Sequence, residues 1–88
     1  MMEEIGNIEK FEEYLKDQNL AVNTITSYLY AIRQFYSLYD TLTRKNLREY
    51  KLFLMKTYKP QTVNLRIRAI NCYLESLQKE KWKLNSVK

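Results

Sequence analysis

Two stretches of this sequence carry the side chains best equipped for recognition chemistry, and both have the spacing of amphipathic helices. In residues 22–39 and 60–79, polar positions lie opposite an apolar stripe of helical period. The polar faces hold Asn23, Thr26, Tyr30, Arg33, Gln34 and Ser37 in the first stretch, and Asn64, Arg68, Asn71, Cys72 and Glu75 in the second, with Arg66 at its edge. Arg side chains bond guanine, and Asn or Gln side chains bond adenine, in the major groove of DNA. These faces are therefore candidate nucleic-acid surfaces.

The residue types that most enzymatic chemistry needs are scarce. The chain has no histidine, which removes the commonest general acid–base group and the commonest metal ligand. One cysteine, Cys72, and one glycine, Gly6, leave neither a zinc site nor a glycine-rich phosphate loop. The acids Glu9, Glu12 and Glu13 fit a solvated helix face better than a catalytic pair. We predict that this chain by itself is not an enzyme and uses no metal and no cofactor.

Charge is distributed unevenly along the chain. The net charge is +5, but residues 1–20 carry six acids and two bases, a net of −4. Residues 21–88 carry thirteen bases and four acids, a net of +9. A basic body behind an acidic first segment favours one surface suited to a polyanion.

Composition predicts a small helical protein. With 88 residues, one glycine and one proline, the chain suits a single all-α domain. Helices are predicted at about 7–18, 22–39, 43–56 and 60–79, with Asn7 and Thr43 as N-caps. The single cysteine, the absence of a signal peptide and the lack of a long apolar run predict a cytoplasmic protein without membrane contact.

The second and fourth segments resemble the N-terminal, SAM-like core-binding domain of phage integrases and related tyrosine recombinases. The second helix of that family reads, loosely, Asn-Thr-Ile-x-x-Tyr-x-x-x-Leu-x-x-Phe, and residues 23–35 read NTITSYLYAIRQF. The fourth reads, loosely, Thr-Ile-Asn-x-x-Leu-x-Ala-Ile-x-x-Phe-x-x-x-Leu, and residues 62–77 read TVNLRIRAINCYLESL. The resemblance spans about residues 5–85, with further matches at Phe11, Tyr14, Leu15, Thr43, Leu47 and Tyr50.

The resemblance implies an all-α fold, a four-helix SAM-like orthogonal bundle in which residues 1–88 form one core-binding domain. It implies that this domain and a catalytic domain clamp the duplex DNA of a recombination site, for DNA integration or related site-specific recombination. The catalytic domain, with its Arg, Lys, His and Tyr constellation, is expected to be absent from this chain. Implied partners are double-stranded DNA, that missing domain and neighbouring recombinase protomers, in a protein of a bacterium, phage or mobile element.

The resemblance also implies which residues meet DNA, because the family lays its second and fourth helices against the major groove. The residues expected to face DNA are Asn23, Thr24, Ser27, Tyr30, Arg33 and Gln34 on the second helix, and Asn64, Arg66 and Arg68 on the fourth. At helix starts, where free N–H groups also attract anions, the expected phosphate contacts are Arg44, Lys45 and Lys59.

Three positions depart from the family pattern. Ala21 and Lys59 stand where a serine often caps the second and fourth helices, and Ser86 follows Asn85 where the family often has proline. Loss of a cap costs about 1 kcal/mol, so these two helix starts are expected to shift or fray.

Two other classes of protein fit the same residues. A protein–protein module would dock a partner through exposed Tyr30, Leu38, Phe53 and Leu65. A helix-turn-helix regulator would use the short connections around residues 40–42 or 57–59.

The polar faces generate a first test. Replacing Arg33 and Arg68 by alanine is expected to weaken DNA binding and leave thermal stability nearly unchanged, because both are assigned to solvent-facing positions. Fluorescence anisotropy with a labelled duplex and a thermal melt measure the two quantities. Unchanged affinity would count against the assignment of these faces.

Overall fold

Four helices and one short 3₁₀ turn make up the computed structural model, which describes residues 2–87 and the side chains of residues 7–87. The elements are α1 (Met2–Asp17), α2 (Val22–Leu38), α3 (Arg44–Thr57), α4 (Pro60–Ser76) and the turn Glu80–Trp82. Residues 2–87 contain no strand. The prediction of an all-α, SAM-like bundle of four helices is confirmed.

The apolar stripes of the helices close over one core. The stripe predicted on α4 is buried at Val63, Ile67, Ile70 and Leu74, and the stripe on α2 is buried at Ile25, Leu29, Ile32 and Phe35. Tyr50 of α3 and Tyr73 of α4 are the largest fully buried side chains. The rings of Phe35 and Tyr50 meet edge to face with centroids 5.4 Å apart, an arrangement that aromatic pairs prefer.

Helix α4 is the element around which the others pack. It contacts α1, α2, α3 and the 3₁₀ turn. Beyond the turn, residues 83–87 follow the outer side of α4 without regular secondary structure. Because other segments cover several sides of α4, the packing decides which of its polar residues face solvent.

The helix starts follow the sequence closely at three places. Thr43 caps α3, because its hydroxyl oxygen accepts a hydrogen bond from the Asn46 amide at 3.0 Å, as predicted. Ala21 and Lys59 make no side-chain cap bond. Nevertheless α2 and α4 begin at Val22 and Pro60, the predicted residues, so the expected shift does not occur. Proline at the first position favours the α4 start, since its fixed φ suits a helix.

One predicted cap is wrong. Helix α1 begins at Met2, so Asn7 lies inside the helix and is not its N-cap. Gly6 is tolerated there at a cost of about 1 kcal/mol relative to alanine. The family match at Ile5 falls on a side chain outside the described ones.

The predicted end of α4 at Lys79 is also wrong, because the helix closes three residues earlier, at Ser76. Gln78 has φ 59°, in the left-handed region. The Lys79 amide donates to the Leu74 carbonyl at 2.8 Å, and the Gln78 amide donates to the Glu75 carbonyl at 3.0 Å. These two bonds form a Schellman motif, in which glycine is the usual left-handed residue.

The left-handed glutamine generates a stability prediction. A residue with a Cβ costs roughly 1–2 kcal/mol in this conformation, whereas glycine adopts it freely. Glycine also adds about 0.4–1 kcal/mol of unfolded-state entropy, so Gln78→Gly should stabilise the fold by a net of about 0.5–1 kcal/mol. Chemical denaturation measures the change. The matched control is Gln61→Gly, in the right-handed first turn of α4, which is expected to destabilise; a loss of stability in both variants would contradict the prediction.

Candidate functional site

A groove between α2 and α4 gathers several of the predicted recognition residues. Its volume is about 470 Å³, and its walls are Thr26, Ser27 and Tyr30 from α2 and Thr62, Leu65 and Arg66 from α4. Tyr30 is 55% exposed, so the groove opens to solvent beside an aromatic residue. Three hydroxyl groups, one phenol and one guanidinium give it hydrogen-bonding capacity and a positive charge, without any acid among these residues.

Arg66 is held rigidly at this groove. Its guanidinium carbon lies 4.7 Å from the centroid of the Tyr30 ring and 5.0 Å from that of the Tyr58 ring. Its Nη1 donates a hydrogen bond to the side-chain oxygen of Gln34. Aromatic faces attract a guanidinium because their quadrupole is negative above the ring. The Arg66 side chain is thus fixed by two groups of α2, the Tyr30 ring and the Gln34 amide, and by the Tyr58 ring just beyond α3.

The amide of Gln34 connects three helices. Its oxygen accepts from Arg66 of α4 and also from the Tyr50 hydroxyl of α3, at 2.8 Å. Its nitrogen donates to the Tyr58 hydroxyl, just beyond α3, at 3.0 Å. One amide N–H is left over. Gln34 was predicted to face DNA, but most of the bonding capacity of its amide is engaged within the protein.

The charge of Arg66 is not cancelled by a carboxylate. Within the described part of the chain, Arg66 forms no ion pair, and its polar partner is a neutral amide. A neutral amide and two rings orient a cation while leaving its net charge in place. The groove therefore presents an oriented positive charge to whatever enters it.

Of the other predicted residues of α2, only two line this groove. Ser27 and Tyr30 line it, and Asn23 and Arg33 are exposed. Arg33 lies three residues after Tyr30, a spacing that makes side chains neighbours on a helix surface. Thr24 is only half-buried. The structure thus brings Ser27, Tyr30 and Arg66 together and leaves Asn23 and Arg33 accessible on the same helix.

Arg68 lies on a different surface from Arg66. A step of two residues turns about 200° around a helix axis, so Arg66 and Arg68 point to nearly opposite sides of α4. Arg68 lines a second groove of about 440 Å³ with Tyr14, Tyr28 and Cys72. Burial raises the pKa of the Cys72 thiol above its ordinary value. The two arginines that were predicted to face DNA from α4 therefore do not share one groove.

Asn64 is engaged by the end of the described chain. Its side-chain nitrogen donates to the Val87 carbonyl at 2.8 Å, and its oxygen accepts from the Val87 amide at 2.7 Å. Asn71 makes the same pair of bonds with Leu84, at 2.9 and 2.8 Å. Seven helical residues rise about 10.5 Å, and three extended residues span about 10 Å, so the two registers match. The seven-residue spacing of Asn64 and Asn71 was the only sign of these bonds in the sequence, and we missed it.

The predicted phosphate contacts are all exposed. Arg44 and Lys45 lie in the first turn of α3, and Lys59 immediately precedes α4. Lys59 occupies the cap position without a cap bond, so its side chain is not committed to the helix start. Phe53, in contrast, was expected to be exposed and is half-buried, because it packs against Tyr50 and Tyr58. The prediction that Phe53 is an exposed part of a docking surface is therefore wrong.

Two kinds of site receive no support from the described residues. The side chains described, those of residues 7–87, include no group of three His, Cys, Asp or Glu placed to hold a metal ion. None of the helices described is long and apolar enough to cross a membrane.

The bundle and its grooves define a class of small helical domain with a cationic, aromatic-lined surface between its second and fourth helices. A family model described as phage integrase, N-terminal SAM-like domain, matches residues 8–84. The match covers most of the chain, and the protein belongs to this family. Neither the curated proteins nor the solved structures gave a match.

The buried phenol at the Gln34 junction generates a pH prediction. Burial raises the pKa of Tyr50 to about 12, against an opposing effect of Arg66. The ordinary value near 10 applies when the chain is unfolded, so protonated Tyr50 stabilises the fold fully below pH 10. That contribution is lost as the pH rises through about 12. Tyr50→Phe lacks this titration and also loses a hydrogen bond worth about 1 kcal/mol at neutral pH.

Urea denaturation between pH 8 and pH 12 measures the difference. The wild-type free energy of unfolding is expected to fall more steeply over this range than that of Tyr50→Phe. Other tyrosines with raised pKa, including Tyr14 and Tyr39, are present in both proteins and cancel in the comparison. Parallel pH profiles would show that Tyr50 does not titrate differently on folding.

Proposed function

We propose that this domain binds duplex DNA through the groove between α2 and α4, as the DNA-gripping part of a tyrosine recombinase, without cleaving DNA itself. The observation that carries the proposal is the state of Arg66. It is held between Tyr30 and Tyr58 and by Gln34, with no described carboxylate to cancel its charge. Arrangements of this kind suit an anion that approaches from solvent.

The charge and composition of the surrounding surface support the same ligand. Residues 21–88 carry a net charge of +9, and a polyanion gains from every cation that displaces its counterions. Thr26, Ser27 and Thr62 add hydroxyl groups, which commonly bond phosphate oxygens and position a protein on the duplex. The major groove of DNA is wide enough to admit one helix, and α2 and α4 each have a polar outer surface suited to it.

Residues of the site have different roles in this proposal. Arg66 contacts DNA directly, and Gln34 acts by orienting Arg66 instead of reading a base. Tyr30 contributes both an exposed ring and a hydroxyl beside it. Asn23 and Arg33 extend the contact along α2, while Arg68, on another side of α4, reaches at most a flanking phosphate. Asn64 reads a base only if Val87 leaves its amide.

The family suggests the wider setting of this activity. We propose that the parent protein is a recombinase that works on DNA in the cytoplasm, and that strand cleavage belongs to a catalytic domain outside these 88 residues. Neighbouring protomers on the recombination site are further proposed partners. The acidic first segment is suited to such protein contacts, because its net charge of −4 opposes DNA.

A second candidate function is a protein–protein module. Leu52 and Met55, three residues apart on α3, are 55% and 49% exposed, and Leu38 and Leu65 are also exposed. Exposed apolar neighbours are typical of docking surfaces when they form a sizeable patch. Failure of the protein to bind any duplex at low salt would favour this function.

A single isosteric change separates DNA binding from folding. Gln34→Glu keeps an oxygen acceptor for Tyr50 and Arg66 but adds a carboxylate that neutralises the guanidinium. Fluorescence anisotropy with a labelled duplex of about 30 base pairs, over a series of salt concentrations, measures the affinity. Wild-type dissociation constants of about 10⁻⁴–10⁻⁶ M at physiological salt are expected. The variant should bind about tenfold more weakly, with its thermal midpoint largely retained.

The matched control is Gln78→Glu, which adds the same charge at the opposite end of α4. It is expected to bind nearly as well as the wild type. Equal affinity of Gln34→Glu and wild type would exclude Arg66 as a DNA contact. A steep linear fall of log affinity with log salt for the wild type would support a phosphate-binding surface.

A further inference from the structure

A small basic hollow lies away from the α2–α4 groove, between the start of α3 and the chain that follows α4. Its volume is about 130 Å³, and it is lined by Arg44 and Arg48 of α3 and by Lys81, Trp82, Lys83 and Leu84. Four of the six residues are cations and none is an acid. Arg48, Lys81 and Lys83 played no part in the sequence prediction.

The charges at this hollow are mostly unbalanced. Lys83 pairs with Glu75 at 3.2 Å, but Arg44, Arg48 and Lys81 form no ion pair with any described residue. The first turn of α3 contains no acid, and its free N–H groups add partial positive charge to the same end of the helix. Like charges held close together repel one another, so an anion bound among them would relieve the repulsion.

The backbone that carries Lys81 and Lys83 follows a fixed path along the hollow. Asn71 holds both backbone groups of Leu84, which is the next residue after Lys83. On the other side, the Trp82 amide donates to the Lys79 carbonyl at 2.9 Å, and the Lys79 ammonium lies 4.4 Å from the Trp82 ring centroid. Lys81 and Lys83 are therefore anchored on both sides while they face α3.

We propose that this hollow is a phosphate-binding site that takes a backbone phosphate of nucleic acid. Arg44 and Arg48 are one turn apart, and the planar guanidinium group bonds phosphate through two parallel N–H donors. Lys81 adds an ammonium group, and Trp82 supplies an apolar wall. The proposal rests on the proposed function for the identity of the ligand, since DNA supplies the phosphate.

The position of the hollow adds reach to the DNA contact. It lies at the first turn of α3, whereas Tyr58, which holds Arg66, follows the last residue of that helix. Fourteen helical residues span about 21 Å, so the first turn of α3 and Tyr58 lie roughly 20 Å apart along the helix axis. The phosphates of one DNA strand are about 3.4 Å apart along the duplex axis, so about six base pairs span the same length.

The first experiment compares Arg48→Ala with Lys56→Ala, two losses of one exposed cation from the same helix. Duplex affinity is measured by anisotropy across a salt series. Arg48→Ala is expected to bind several-fold more weakly and to lower the slope of log affinity against log salt by about 0.9, the effect of one lost phosphate contact. Lys56→Ala, outside the hollow, is expected to change the slope much less. Duplex binding with the same slope and affinity in Arg48→Ala and wild type would overturn the proposal while leaving the α2–α4 site intact.

The second experiment uses inorganic phosphate and no DNA. Side-chain NMR signals of Trp82 Nε1–H and the arginine Nε–H groups are followed during titration of the wild type, Arg48→Ala and Asn71→Ala. Saturable shifts in the wild type, weakened in both variants, are expected; Asn71→Ala removes no charge and so tests the anchored path. Phosphate shifts without any duplex binding would overturn the nucleic-acid ligand and the proposed function, and would identify a free phosphate compound as the ligand. No shift and no duplex binding would overturn both proposals.

Discussion

The hydrogen bonds of the Gln34 amide are the interaction on which the arrangement of α2, α3 and α4 most depends. The amide satisfies the Tyr50 hydroxyl deep in the bundle and orients Arg66 at its surface. A buried hydroxyl without a partner costs roughly 1–3 kcal/mol, and α2 satisfies Tyr50 through Gln34 at 2.8 Å and, more weakly, through the Ala31 carbonyl at 3.4 Å. One neutral side chain thus serves the core and the groove together. A carboxylate at the same place would satisfy the same donors and cancel the charge.

Helix α4 has three sides that face different parts of the protein. One side carries the core stripe, another meets α2 at the Arg66 groove, and a third receives residues 84–87 on Asn64 and Asn71. A helix has about 3.6 residues per turn, so neighbouring residues in sequence fall on different sides. Arg66 and Arg68 illustrate the result, since one is stacked between two tyrosines and the other borders a groove with Cys72.

Positive charge is placed where carboxylates are scarce. The described ion pairs are Glu12 with Lys16 within α1 and Glu75 with Lys83, which leaves Arg66 and the cations at the start of α3 unpaired. Because these pairs do not involve Arg66, Arg44, Arg48 or Lys81, the α2–α4 groove and most of the hollow keep their positive charge. A basic protein of this size keeps its fold because these charges lie at the surface, where water screens them. The same exposure makes them available to a polyanion.

The sequence alone determined the number of helices, the starts of α2, α3 and α4 within one residue, and the apolar residues of the core, because these follow from local periodicity and from Thr43 and Pro60. It also determined the family, through motifs carried by α2 and α4. It did not determine the end of α4, since Gln78 adopts a left-handed conformation that glycine normally marks. Nor did it determine the hydrogen-bond partners of Gln34, Arg66, Asn64 and Asn71, which are 13 to 32 residues away in the chain. Polar side chains on one helix look alike in sequence; only the packing of other segments decides which are held within the protein and which remain open to a ligand.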